Sequence, residues 1–218
     1  KYFLLFFLIC AQGFLGWYMV ESGLVDRVDV SHYRLASHLC LAFVILSITF
    51  WYILERYKIN SFDKKLPSLL LIIIFIFIFF QIILGAFLAG LDGGLIYNTW
   101  PDMNGKFLPD DVSIASFFSS ESFNTPSIIQ FIHRKMAYIL FILILYLNIV
   151  YIYKKLPIIN ILVFDLAVLL QIFLGVITLL SGAKIFYASL HQIGSIIVVS
   201  SFLYICYKNI NTNLQPSN

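Results

Sequence analysis

Charge of either sign is scarce in this sequence. Only 11% of its 218 residues are Asp, Glu, Lys or Arg, where a soluble domain carries about 25%. A water-facing surface cannot be covered with so few. Cysteine is scarce too. Cys10, Cys40 and Cys206 each lie inside an apolar run. Three is an odd number and none sits in a loop, so they read as small buried apolar residues rather than a disulfide framework. No low-complexity linker divides the chain. The formal net charge of +3 is too small to argue for a nucleic-acid partner. What fills the sequence instead is 61% hydrophobic residues, with a mean hydropathy of +0.94. Both deviations predict an all-α membrane protein whose solvent is the lipid bilayer.

Six stretches are long enough to cross a bilayer core, which takes about 20 residues of helix. They are residues 2–24, 31–54, 66–91, 126–153, 157–182 and 185–207. The first holds Gln12, Gly13 and Gly16 and is too long for a signal-peptide core. Pro67, Pro126 and Pro157 fall where a helix accepts proline, near the first turn. Ser31 and Thr125 stand at positions that suit an N-cap. The loops then give an orientation. Arg56, Lys58, Lys64, Lys65, Lys154, Lys155 and Lys208 fall on one side. Asp26, Asp29, Asp102, Asp110, Asp111 and Glu121 fall on the other, with Arg27 among them. The lysine-rich side is expected in the cytoplasm or its organelle equivalent.

Histidine is the informative polar residue. His38, His133 and His191 lie seven or eight residues inside the second, fourth and sixth spans. At 1.5 Å per residue, each is roughly 10–12 Å from the outer end of its helix. One such histidine commonly bonds only a neighbouring helix. Three at one depth on one side predict a shared site. His32 sits at a loop edge and reads as a solvated surface residue.

A local pattern recurs three times: Gln12-Gly-Phe-Leu-Gly16, Gln81-Ile-Ile-Leu-Gly85 and Gln171-Ile-Phe-Leu-Gly175. The first and third continue to Ser22-Gly23 and Ser181-Gly182, and lead into the helices of His38 and His191. Helix one thus corresponds to helix five, and helix two to helix six. The spacing predicts a longer protein of eight helices, a tandem pair of four-helix bundles. Residues 1–60 would be the remainder of the N-terminal half and 61–218 the C-terminal half. On this expectation, the first two helices precede Lys1.

Neutral imidazole binds haem iron as well as zinc. No carboxylate or thiol accompanies His133 and His191 at metal-ligand spacing, which argues against a four-coordinate zinc site. Two histidines on facing helices can instead take the two axial positions of a haem. Arg134, Lys135 and Arg34 are candidate partners for its propionates, since guanidinium suits carboxylates. For Arg34 and Lys135 the alternative is snorkelling to the interface. Ile132, Met136, Leu174 and Ile193 would pack the macrocycle, and Gly175 and Gly194 would leave it room. The loop between the third and fourth spans is too long for a plain connector and reads as a lid or binding loop. Its Tyr97 and Trp100 could equally be interfacial anchors.

The run Gln81-Ile-Ile-Leu-Gly-Ala-Phe-Leu-Ala-Gly-Leu-Asp-Gly-Gly-Leu-Ile-Tyr-Asn-Thr-Trp-Pro-Asp-Met103 resembles the haem A synthase family, in its mitochondrial and proteobacterial branch. So do Phe131-Ile-His-Arg-Lys-Met-Ala-Tyr138, His191-Gln192, Gly16-Trp17-Tyr-Met-Val-Glu-Ser-Gly-Leu24 and Tyr33-Arg-Leu-Ala-Ser-His38-Leu39. The resemblance implies two four-helix halves, with haem b held by His133 and His191 in the second. It implies that haem O, the substrate, binds in the first, with His38 as one of two catalytic histidines. The reaction would oxidise a haem methyl group to a formyl, giving haem A for terminal oxidases. The site would lie in a bacterial or mitochondrial inner membrane, with haem O synthase and a second copy of the chain as candidate partners. The family also carries a glutamate and a histidine close together on the second helix of its first half. This sequence has no such pair, and Glu21 belongs to a later helix. The alternative function is a bis-histidine cytochrome that transfers electrons without substrate chemistry. A tandem-repeat transporter fits less well, as there is no proline-broken helix and no charged pair at mid-membrane.

Overall fold

A computed structural model describes residues 1–21 and 30–210. Asp26, Arg27 and Asp29, and the Ser22-Gly23-Leu24 end of the first repeat, lie outside the described residues. The structure is all-helical, with α1 (Tyr2–Glu21), α2 (His32–Arg56), α3 (Ser68–Gly90), α4 (Pro126–Tyr153), α5 (Ile158–Leu180) and α6 (Ile185–Ile210). All six are long and apolar enough to span a membrane. The protein is an integral membrane protein. The runs in α3 and α5 are rich in β-branched and aromatic residues that would suit strands in water. In lipid an isolated strand leaves its backbone unpaired, and only a helix satisfies every N–H and C=O within one segment.

Each helix from α2 to α5 ends by running into a left-handed residue: Lys58, Asp92, Lys155, and the pair Gly182-Ala183. Such residues turn the chain out of a helix. Pro126 is the first residue of α4, while Pro67 and Pro157 stand just before α3 and α5. Ser31 and Thr125 hold the N-cap positions without capping through their side chains. The Thr125 hydroxyl donates instead to the Glu121 carbonyl at 2.9 Å.

Helices α3 to α6 close a four-helix bundle, each packing on the next and α6 returning to α3. Helix α2 lies against α3 and α6, and α1 packs on α2. The lysine-rich end of the bundle is clamped by Asn209 at the end of α6. Its side chain accepts from the Leu66 amide at 2.6 Å and donates to the Leu66 carbonyl at 3.2 Å. Here the main core is built from Phe43, Leu70, Ile74, Leu147, Phe164 and Phe202 with their neighbours. A smaller cluster of Ala36, Leu84, Ala86, Phe87 and Ile129 joins α2, α3 and α4 nearer the other end.

His32 is not the solvated residue its position suggested. It is half-buried, stacked beside Tyr33 with ring centroids 4.1 Å apart and edge-on to Phe87 at 5.2 Å. Gly90 is the reason. A Cβ there would lie 2.7 Å from the His32 Cα, so α2 and α3 meet where α3 has no side chain.

Candidate functional site

The depth match holds. His38 and His191 are the seventh residues of α2 and α6, and His133 is the eighth of α4. Each is half-buried. Each is also held by the same two residues of the preceding helix. Gln12 donates to the His38 carbonyl at 3.1 Å, Gln81 to the His133 carbonyl at 2.9 Å, and Gln171 to the His191 carbonyl at 2.9 Å. The same amide nitrogens lie 3.2, 3.3 and 3.5 Å from the three ring Nε2 atoms. The glycine one turn later receives the ring. A Cβ on Gly16, Gly85 or Gly175 would stand 3.1, 3.4 or 2.9 Å from the Cε1 of its histidine.

The repeat therefore has three members, α1–α2, α3–α4 and α5–α6, each a helix pair with one seated histidine. The sequence pattern around Gln81 carried this signal. The pairing with His133 is hidden by the long loop, which separates the two by 52 positions against 26 and 20 in the other pairs. The expectation that Gly175 and Gly194 would leave room for a flat ligand needs correction. The His191 ring fills the space over Gly175, and the Gln171 Oε1 would be 2.4 Å from a Cβ on Gly194.

His133 and His191 stand at matching positions of α4 and α6. Around the pair, α4, α5 and α6 bury few side chains, while Leu84, Ala86, Phe87 and Ile129 pack the side toward α2 and α3. Helix α4 has no buried residue between Phe131 and Leu143, α5 none from Leu169 to Leu180, and α6 none from Ile185 to Ile193. The Nδ1 atoms of His38 and His133 and the Oε1 atoms of Gln12, Gln81 and Gln171 are shielded without a hydrogen-bond partner. Among the described residues, no group of three or more His, Cys, Asp and Glu side chains converges.

Residues 1–203 match the COX15-CtaA family, described as "Cytochrome oxidase assembly protein". The chain belongs to this family. It is 57% identical over 211 residues to the heme A synthase of Pelagibacter ubique, covering 97% of this chain and 63% of that protein. It is 41% identical over 219 residues to the heme A synthase of Rickettsia felis, covering 97% of this chain and 64% of that protein. The heme A synthase of Rickettsia bellii is 39% identical over 220 residues, covering 98% of this chain and 65% of that protein. The chain thus spans a little under two thirds of the length of these relatives. No solved structure matches it.

In this COX15-CtaA chain, the cations beside the histidines are already engaged. Arg134 donates to the carbonyls of Asp102, at 3.1 Å, and Thr99. Lys135 lies over the Phe107 ring at 4.0 Å. Both therefore face the outer loop. Arg34 stacks over Tyr18 at 4.7 Å, with one terminal nitrogen shielded and unpartnered among the described residues. Trp17 and Tyr18 are both exposed. An apolar groove of about 340 Å³ runs between α2 and α6, lined by Leu39, Phe43, Ile193 and Ile196 among others.

The outer loop is bound down along its length. The buried Gln130 donates to the Tyr97 carbonyl at 3.0 Å. Asn98 donates to the Leu179 carbonyl of α5 at 2.9 Å. Tyr97 is buried and donates to Asp111 at 2.6 Å, and Ser127 donates to the other Asp111 oxygen. Tyr97 is a tie between loop segments rather than an interfacial anchor, whereas Trp100 is exposed. The Asp102 carboxylate accepts from the Gly105 amide and the Thr99 hydroxyl, both at 2.9 Å, and its pKa is lowered by these two bonds. Sequence reasoning also passed over Asp165, a carboxylate within α5 that accepts from Asn148 of α4 at 2.9 Å. Its signal was a lone Asp in an apolar run.

Proposed function

We propose that the complete protein is a haem A synthase, converting haem O to haem A by oxidising a methyl group to a formyl. Within it, His133 and His191 would hold haem b in the bundle of α3 to α6, and His38 would serve haem O in the other half. The observation that carries the haem assignment is the layer around His133 and His191 in which α4, α5 and α6 bury no side chain. Two imidazoles at one depth, in stretches of α4 and α6 that bury no apolar side chain, fit a flat apolar group better than a compact ion. The shielded atoms without partners at the same depth support this, because buried polar groups are normally satisfied.

When bound, haem b supplies one-electron chemistry. The chain's own residues do the rest. His133 and His191 present lone pairs from facing helices. The loop fastened by Arg134, Gln130 and Asn98 covers the outer end of the layer and excludes water. The residues of the main core seal its inner end. The groove between α2 and α6, lined by Leu39 and Phe43 on one side and Gln192 and Ile193 on the other, suits the long isoprenoid chain of haem O. The wider architecture follows the same reading: residues 1–60 belong to the substrate half and 61–218 to the haem b half of an eight-helix protein in a bacterial or mitochondrial inner membrane. The Arg34 guanidinium, with one nitrogen unpartnered among the described residues, would be the partner of a propionate.

The test is pigment extraction after expression of the complete gene with a haem O source. Haem A should accumulate with the intact gene. His133→Ala and His191→Ala should each abolish the low-spin six-coordinate haem spectrum, since one axial bond is lost, and His32→Ala should not. Unaltered haem O together with a normal bis-histidine spectrum would favour an electron-transfer cytochrome. A His133→Ala protein with the spectrum intact would overturn the haem b assignment.

A further inference from the structure

We infer that Gln12, Gln81 and Gln171 are positioning residues, each seating one histidine for ligation from the helix before it, with the glycine four residues later as the floor of the seat. The inference rests on the haem reading of His133 and His191 and goes beyond it to residues that touch neither iron nor substrate.

The argument is geometric. Three glutamines on three helices meet three histidines on three others, across sequence separations of 26, 52 and 20. Loop length therefore does not produce the contact. In each case the amide–carbonyl bond, at 2.9–3.1 Å, is shorter than the amide–ring contact, at 3.2–3.5 Å. The shorter bond uses the spare lone pair of the histidine carbonyl and leaves the ring free. It fixes the helix turn that carries the histidine. The longer contact and an iron would compete for one ring lone pair, so only the carbonyl bond is compatible with ligation.

The spacing of the motif has a cause. Residues four apart lie on one helix face. A side chain at the glycine position would stand between the imidazole and the glutamine's own backbone carbonyl. With Gly175 there, the His191 Nδ1 reaches the Gln171 carbonyl at 3.1 Å and donates to it. That bond makes Nε2 the nitrogen with the lone pair, the arrangement a metal-binding histidine needs. Gly194 completes this seat by admitting the Gln171 Oε1, which would lie 2.4 Å from a Cβ. The three distances from a glycine Cβ to Cε1, 2.9 Å at Gly175, 3.1 Å at Gly16 and 3.4 Å at Gly85, rank how closely each ring is held.

The experiment uses the complete protein, purified in detergent with its own haem. Q171L and Q81L keep side-chain volume and remove the donor, and Q171E keeps the shape but also loses the N–H. Haem b content, the low-spin electron paramagnetic resonance g values and the haem midpoint potential are read beside thermal stability. Loss of such a supporting partner typically weakens metal binding about 10–100-fold. Q171L and Q171E should both retain less haem b at limiting haem and shift the g values and potential. G175A should do so more than G85A. The glycine pair decides alone if the glutamine variants do not fold. Normal spectra, potential and haem content in Q171L and Q81L would overturn the inference, as would Q171E matching the unchanged protein or G85A disturbing the haem as much as G175A. H191A separates the two readings. If it loses the low-spin spectrum while Q171L does not change, the seat fails and the haem assignment stands. If H191A keeps the spectrum, the haem assignment itself fails.

Discussion

Gly13 and Gly90 sit in the same kind of apolar helix and should respond oppositely to alanine. A Cβ on Gly13 meets nothing within 4 Å. Gly13→Ala removes only the conformational freedom of glycine, and is expected to stabilise by about 0.5–1 kcal/mol. A Cβ on Gly90 would overlap the His32 Cα and Cβ at 2.7 Å, and a backbone cannot swing aside as a side-chain tip can. Gly90→Ala should cost about 1–3 kcal/mol as overpacking. Thermal unfolding in detergent checks both, and a G90A protein as stable as the unchanged one would refute the close approach of α2 and α3. The same pair shows what a single sequence reveals at this scale. The three deep histidines were legible because an imidazole in an apolar run is costly and rare. The burial of His32 was not, because it depends on a missing side chain in another helix. The glutamines were legible as a pattern but not as histidine partners, because nothing in the spacing along the chain marks a contact between helices.

Among elements, the loop from α3 to α4 shows most that spacing along the chain did not. Its length announced a lid or binding loop. The structure adds that it is fastened at Tyr97, Asn98, Thr99 and Asp102 by bonds that end on backbone carbonyls. Every residue has a carbonyl, so such partners leave no trace in residue type. Asp111 is the charged tie. Burial acts to raise its pKa, but hydrogen bonds from Ser127 and Tyr97 outweigh burial and hold it below the usual carboxylate value. The partner Tyr97 is pushed up, chiefly by its bond to Asp111. The sign for Asp111 follows: a detached loop takes up its proton more readily than a docked one, so acid favours detachment. Docking should be fully present above the ordinary carboxylate range and decline as pH falls below about 4. Hydrogen exchange of the loop amides measures this, and protection that rose on acidification would contradict it. Asp111→Asn should flatten the acid dependence and weaken docking by about 1–3 kcal/mol, the cost of losing a charged hydrogen-bond acceptor.

The whole molecule is divided across its thickness. The large core fills the lysine-rich end, and the histidine layer with its tied loop occupies the acidic end. The six spans were legible from composition, because apolar runs of this length have few other fates. Which helices touch which within the four-helix unit expected over 61–218, and the place of α2 against α3 and α6, were not. In lipid an apolar face gains nothing by turning inward, so partner choice rests on small residues and polar contacts such as Gly90 with His32 and Gln81 with His133. Orientation does follow from charge. Lys64, Lys65, Lys154, Lys155 and Lys208 share one end, and Asp102, Asp110, Asp111 and Glu121 share the other. Lysine bias in short loops predicts that the first end is cytoplasmic, which would set the histidines and their loop toward the outer surface. In a cysteine-free form of the complete protein, a single cysteine at Asp110 should react with a membrane-impermeant maleimide in spheroplasts or in cells with a permeable outer layer. A cysteine at Lys154 should react only after the inner membrane is opened. Asp110 is exposed and, among the described residues, its side chain pairs with the exposed Lys106, so the replacement leaves the ties at Tyr97, Asn98 and Asp111 in place. The reverse pattern of labelling would turn the molecule over and put all three histidines on the cytoplasmic side.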